Sequence, residues 1–198
     1  MRYNVIAIER EYASGGREIG ENVARALGVP CHGRDIAERA AKELGITEAE
    51  LDEMEERVTG SLLYSFAVFS DVASGRAARL PKPEQLAVVE TGIAKECAKT
   101  PCVVIGRAAA GLFKDDPNAL RVFLFADEES KIKRASEVYG VEAARAGEVC
   151  KRFDRRRGNY FRFAAHANWR NPMLYDLILN SGRLGIARAT EIILRAAQ

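Results

Sequence analysis

Short apolar runs alternate along this chain with stretches whose apolar residues recur every three to four positions. The first run, Asn4 to Ile8, reads as a strand. It is followed by Ile19, Val23, Ala24 and Leu27 at helical spacing within Gly16 to Leu27, and Gly28 stops that helix. Val29 to His32 reads as a brief strand, and Asp35 to Leu44 as a helix ended by Gly45. Ile46-Thr47 opens an acidic helix, with Thr47 as N-cap and Glu50 three residues on, the two halves of a capping box. Ser61 to Asp71 is apolar and aromatic, the pattern of a packing helix. Ser74 to Pro83 is a basic loop interrupted by Pro81 and Pro83, and a helix runs from Pro83 or Glu84 to Lys99.

The second half is more regular. Cys102 to Ile105 is a continuous apolar strand ending at Gly106-Arg107, Ala108 to Phe113 a short helix, and Asp115 to Asn118 a turn. Leu120 to Phe125 is another buried strand. Asp127 then stands where a cap belongs, before a helix from Glu128 to Tyr139. Val141 to Arg157 predicts a long helix running into a basic, aromatic segment, Leu177 to Leu179 a last strand, and Gly185 to Ala196 a closing helix. Strands alternating with helices, each strand apolar on both faces, predict a mostly parallel sheet covered on both sides. There is no repeat and no linker, so the 198 residues read as one α/β domain.

Composition narrows the class. With 47% hydrophobic residues, 29% charged residues and a formal net charge of +2, a disordered chain is excluded. No apolar run reaches membrane-spanning length, so no membrane association is expected. The N-terminal run meets Glu9-Arg10-Glu11 too soon for a signal peptide, and the cytoplasm is the expected location. Cys31, Cys97, Cys102 and Cys150 form no CxxC pair, which fits reduced, structural thiols. The small net charge hides a separation. Lys151 to Arg170 holds seven cations against Asp154 alone, whereas Thr47 to Arg57 holds six acids against one arginine. Such poles within one domain suit a site for a small anion better than a general affinity for nucleic acid.

The candidate chemistry begins at the first strand-to-helix turn, Ile8-Glu9-Arg10-Glu11-Tyr12-Ala13-Ser14-Gly15-Gly16-Arg17-Glu18. Ser14-Gly15-Gly16 supplies backbone that turns sharply and presents N–H groups, and Arg17 just inside the helix reaches a phosphate oxygen held there. Against the phosphate-loop pattern GxxxxGK[ST], Gly16-Arg17-Glu18 takes the place of GK[ST] and Glu11 that of the first glycine. Arginine for lysine keeps a phosphate partner. Glutamate for the hydroxyl residue either binds magnesium directly or pairs with a neighbouring cation.

The segments IEREYASGGREIG, CHGRDIAERAA, VVIGRAAAGL, RVFLFADEESKIKRA, RFDRRRGNYF and NWRNPMLYDLILNSGRLGIARATEII follow in an order that resembles the cytidylate kinase-like family, a branch of the P-loop nucleoside monophosphate kinases. The resemblance spans nearly the whole chain and implies a three-layer α/β P-loop kinase fold. Its five-stranded parallel sheet would carry a helical acceptor-binding insert at about 34–85 and an arginine-rich lid at about 150–172. It implies an ATP- and Mg2+-dependent kinase acting on CMP or dCMP. Ser14, Gly15, Gly16, Arg17 and Glu18 would hold the donor phosphates, with Glu18 as the metal ligand and Arg17, Arg155 and Arg157 as catalytic cations. Asp35, Arg76, Arg107 and Asp154 would bind the acceptor.

Each assignment has a plainer counterpart. Asp35 equally suits an N-cap, Arg107 a pairing with a nearby acid, Arg76 and Arg79 solvent, and the lid a solvated basic helix. Tyr12, Tyr160, Phe161, Phe163 and Trp169 suit packing better than base stacking, and His166 a surface position. Cytidylate kinase itself has Gly-Arg-Asp where this chain has Gly106-Arg107-Ala108, so the carboxylate is missing. Two further readings follow: a kinase for another small acceptor, or a nucleotide-binding module without turnover. The run Leu62 to Phe69 suits either a core or a homodimer surface.

Overall fold

A computed structural model describes residues 2–51 and 82–198. Strand β1 (Val5–Arg10) alternates strictly: Val5, Ala7 and Glu9 face one side of the sheet, Ile6, Ile8 and Arg10 the other. Helix α1 (Gly16–Leu27) follows, then β2 (Cys31–His32) and α2 (Arg34–Glu43). Beyond the undescribed stretch come α3 (Lys82–Cys97), β3 (Cys102–Ile105), the single-turn α4 (Ala109–Leu112) and β4 (Ala119–Phe125). Helices α5 (Glu128–Tyr139) and α6 (Ala143–Ala165), a 3-10 turn at Pro172–Leu174, β5 (Leu177–Asn180) and α7 (Ser181–Ala196) complete the chain.

The five strands form one parallel sheet in the order β2-β3-β1-β4-β5. Ile6 and Ile8 join Val103, Ile105, Val122 and Leu124 in a core closed by Ile19 and Val23 of α1 and Ile193 of α7. Val5, Ala7 and Val104 face the opposite core, closed by Ile36 of α2, Ile93 of α3 and Phe161 of α6. The expected three-layer α/β arrangement is therefore present, with apolar strands buried on both faces. Among the described residues no helix is long and apolar enough to cross a membrane.

Several boundaries differ from the pattern, each for a local reason. β1 continues two residues past Ile8, because Glu9 and Arg10 keep pairing with Phe123 and Leu124 of β4. α6 does not end at Arg157. Its basic, aromatic continuation is helical because Phe161 is buried against α4. α7 starts at Ser181 rather than Gly185, with the Asn180 side chain accepting the Arg183 N–H, and Gly185 (φ 75°) is a kink within it. Asp127 occupies the N-cap position of α5 yet caps nothing: its carboxylate accepts from Ser130 Oγ and Asn180 Nδ2 instead. The capping box forms as expected, Thr47 N–H donating to Glu50 Oε2 (2.9 Å) and Glu50 N–H to Thr47 Oγ1 (3.3 Å). The expected helix from Ser61 to Asp71, the basic loop with Arg76 and Arg79, and the apolar run Leu62 to Phe69 lie outside the described residues.

Candidate functional site

At the end of β1 the chain must reverse into α1 without blocking the helix N-terminus. Ala13 (φ 57°) and Gly15 (φ 75°) take left-handed conformations, and Gly15 is the N-cap. A side chain at Gly15 would also collide with Ile186 of α7, and one at Gly16 would lie 2.5 Å from Arg10 Cβ. The turn is pinned from below. Ser14 Oγ donates to the Glu11 carbonyl (2.8 Å), and Ser181 Oγ to the carbonyls of Ser14 (2.6 Å) and Phe125 (2.9 Å). The first amides of α1, which have no partner within the helix, are thus held at a fixed place. Ser14 is buried, so its contribution is backbone geometry.

These amides open on a cavity of about 770 Å³ at the carboxyl ends of β1, β2 and β3. Five arginines line it: Arg10, Arg17, Arg34, Arg107 and Arg157. Arg17 is extended, its side chain 77% exposed and paired with Glu21 one turn on (2.8 Å), an arrangement that a phosphate displaces at little cost. Arg157 reaches across from α6, its Nη1 donating to the Arg10 carbonyl (3.0 Å).

Arg107 is held most firmly. Gly106, Arg107 and Ala108 have φ of 70°, 55° and 55°, and the two non-glycine residues each cost about 1–2 kcal/mol in that conformation. The surrounding contacts outweigh that strain. Arg107 Nη1 donates to Glu90 Oε1 (2.8 Å) and Nε to the Gly33 carbonyl (3.2 Å). Glu90, wholly buried on α3, also accepts from Tyr160 Oη of α6 (2.5 Å). Burial and the Glu90 carboxylate push the Tyr160 hydroxyl well above its usual pKa, so it stays a donor. The pairing of Arg107 with a nearby acid is therefore present, and it aims the side chain at the cavity instead of removing it.

Across the same cavity lie His32 and Asp35. Asp35 is not an N-cap, since Gly33 holds that position. Its carboxylate turns back to accept the Gly33 N–H (2.6 Å) and meets His32 Nδ1 (2.7 Å). Partial burial pushes the Asp35 carboxyl up, but the Gly33 N–H and the His32 ring outweigh it and hold the group below its ordinary value. Cys31 also lines the cavity, and burial pushes its thiol up to about 11, so it is no nucleophile at neutral pH.

Glu11, in the place of the first phosphate-loop glycine, anchors an ion cluster behind the turn. It pairs with Lys131 Nζ of α5 (2.8 Å) and Arg170 Nη2 (2.6 Å), and Lys131 also pairs with Asp154 Oδ2 of α6 (3.0 Å). Asp154 Oδ1 accepts the Tyr12 N–H (2.6 Å). Burial works against the Lys131 charge, yet its hydrogen bonds to Glu11 and Asp154 hold its pKa above the ordinary value. Tyr12 stacks on Phe153 with ring centroids 4.4 Å apart. Tyr160, Phe161 and Trp169 likewise pack into the core, and His166 is exposed.

The structure therefore brings Gly15, Gly16, Arg17, Asp35, Arg107 and Arg157 around one cavity. It places Arg155, Asp154 and Glu18 elsewhere. Arg155 is two residues from Arg157, about 200° around the helix, and faces a second cavity. Asp154 has both oxygens engaged behind the phosphate turn. Glu18 is turned onto Arg134 Nη2 (2.6 Å) and does not line the cavity, which does not fit a magnesium ligand. Among the described residues no group of three or more His, Cys, Asp or Glu side chains is arranged to hold a metal ion. Arg76 lies outside the described residues.

Sequence reasoning passed over Arg10, Glu90 and Lys131. For Glu90 a signal existed: it stands on the apolar stripe of α3 with Leu86, Ala87, Ile93 and Ala94, where a carboxylate requires a partner. Glu9, at a core-facing position of β1, carries the same signal.

Among solved structures, this one is similar to an uncharacterized protein from Eubacterium ventriosum ATCC 27560, with a TM-score of 0.70 at 22% identity, over 98% of this chain and 97% of that one. It is also similar to shikimate kinase from Bacteroides thetaiotaomicron, with a TM-score of 0.55 at 14% identity over 97% and 96% of the two chains. For shikimate kinase from Aquifex aeolicus the TM-score is 0.51 at 16% identity, over 97% and 95%. At these identities the likeness concerns the fold, which is that of the P-loop kinases. No curated protein matches the chain. The sequence profile of the cytidylate kinase-like family matches residues 5–183, from the first residue of β1 into the first turn of α7, and the chain belongs to that family.

Proposed function

We propose that this protein transfers the γ-phosphoryl group of ATP to a small acceptor bound in the cavity beneath the phosphate turn, and that this acceptor is CMP or dCMP. The observation that carries this reading is the convergence of the α1 amides with Arg10, Arg17, Arg107 and Arg157 on one cavity. Phosphoryl transfer asks for two phosphate-bearing groups in line and their charge neutralised, more than for covalent chemistry from the protein. The α1 amides hold the donor phosphates, and Arg17 leaves Glu21 to follow the transferred group. Arg107, fixed by Glu90, holds the acceptor phosphate beside Asp35, and Arg157 balances charge between the two. An acceptor oxygen bonds to the γ-phosphorus while the bond to the β–γ bridging oxygen breaks, and ADP leaves with that electron pair. The family implies magnesium with the nucleotide. In this reading residues 34–85 form the acceptor insert with Arg76, residues 150–172 form the lid, and the protein works in the cytoplasm.

The His32–Asp35 pair favours a second reading, a kinase for an acceptor whose nucleophile is a hydroxyl. A phosphate oxygen needs no base, whereas a hydroxyl loses its proton as it attacks, and a histidine oriented by a carboxylate can receive it. The test is ADP release with ATP and magnesium across CMP, dCMP, UMP, AMP, GMP and a panel of small alcohols. Turnover with the cytidine nucleotides, reduced about 100-fold or more in Arg17→Ala, is the expected result. Turnover confined to an alcohol and lost in His32→Asn moves the assignment to the second reading. No turnover with any acceptor overturns both.

A further inference from the structure

Behind the ion cluster of Glu11, Lys131 and Asp154 lies a second cavity, of about 570 Å³, bounded by α5, α6 and the segment around Trp169. Its charges do not balance. Lys131 and Arg170 are matched by Glu11 and Asp154, and Lys151 by Glu128 (2.9 Å). Arg155 and Arg162 also line the cavity and make no ion pair among the described residues. They stand seven positions apart, two turns along one face of α6, with Asn159 between them.

The helix wall itself is opened toward this space. Gly147 and Gly158, three turns apart on α6, both line it. Glycine inside a helix costs backbone entropy relative to alanine, and neither position is forced by packing. A Cβ at Gly147 would lie 3.6 Å from Ile132 Cδ1, and one at Gly158 3.6 Å from Trp169 Cε3, both ordinary contacts. Gly111 is the contrast, where a Cβ would collide with Ala165 and Phe161. Two helix glycines without a packing reason and two unmatched arginines thus face the same cavity.

We propose that this second cavity binds a small phosphate-bearing anion through Arg155 and Arg162, apart from the phosphate-transfer site. The guanidinium pair suits the paired oxygens of a phosphate or pyrophosphate, and the ion cluster divides the ligand from the phosphate turn.

Trp169 is the sole tryptophan of the chain and lines this cavity, so its fluorescence reports on the site directly. Pyrophosphate is titrated into the wild-type protein, into Arg17→Ala and into the doubly substituted Arg155→Ala/Arg162→Ala, with a single-stranded oligonucleotide as competitor. A saturable change that keeps its midpoint in Arg17→Ala and shifts at least tenfold in the double variant supports the site. The proposal is overturned by the absence of a saturable change, by a response unaltered in the double variant, or by one lost in Arg17→Ala. It is equally overturned by displacement at lower oligonucleotide than pyrophosphate concentration, which would make the patch a nucleic-acid surface. Gly147→Ser, which narrows the cavity without removing charge, should weaken the response, and an unchanged midpoint there counts against the proposal. None of these readings depends on whether the protein turns over ATP.

Discussion

Two buried carboxylates with opposite fates define the residue scale. Glu90 is paired with Arg107 and Tyr160, whereas burial raises the Glu9 pKa to about 7 despite the neighbouring Arg10 and Arg157 and hydrogen bonds to Trp169 and the Ala110 backbone. Between its ordinary value of 4.5 and about 7 the folded protein keeps a proton that the unfolded chain releases, so stability falls as pH rises through this window. Glu9→Gln does not ionise and should escape that loss. Relative to wild type its unfolding free energy should rise by up to about 3 kcal/mol between pH 4.5 and pH 9, read from urea midpoints. A constant difference across that range would mean that Glu9 is ionised throughout. Arg107 illustrates the same economy in reverse: its unfavourable φ is tolerated because two hydrogen bonds, one of them to a buried acid, hold it at the cavity. Neither carboxylate was legible as more than a charge in an apolar stripe, because the sequence does not say which distant side chain answers it.

Glycine divides the long helix α6 into tight and open faces. At Gly111 of α4, which packs on α6, an added Cβ would lie 2.9 Å from Phe161 Cζ and closer still to Ala165, so Gly111→Ala should destabilise by about 1–3 kcal/mol. At Gly147 the added methyl finds ordinary contact, and Gly147→Ala should stabilise by about 1 kcal/mol through helix propensity. Thermal or urea unfolding of the two variants should move in opposite directions. The elements themselves were largely readable. Strands apolar on both faces and glycine stops at Gly28 and Gly45 place β1, α1, β3, β4 and α5 within a few residues. What fell short was α6, whose pattern carries the helix only to Arg157. Its burial through Phe161, against a glycine more than forty positions earlier, keeps it helical. The phosphate turn was legible from Ser14-Gly15-Gly16, whereas the division of Arg155 and Arg157 between two cavities depends on which side of α6 meets β1.

Across the molecule, the site is assembled by contacts between its beginning and its end. Lys131 is the hub: Lys131→Met leaves Asp154 without its cation and Glu11 with Arg170 alone, and should cost about 3–5 kcal/mol in urea unfolding. A loss below about 1 kcal/mol would show that the cluster is solvated and contributes little. Tyr12 is fixed by Asp154, the Arg10 carbonyl by Arg157, Glu11 by Arg170 and the Ser14 carbonyl by Ser181, all partners more than 140 positions away. This order of contacts bears on how the protein comes into being. While the chain is emerging from the ribosome, β1 can pair with β3 and β4 once residue 125 is out, but the turn that ends β1 still lacks every one of those four braces. A nascent chain stalled before Lys151 would already hold its central strands together yet have no formed anion cradle. The capacity to hold phosphate should appear late and abruptly, when the last quarter of the sequence folds back onto the first fifteen residues.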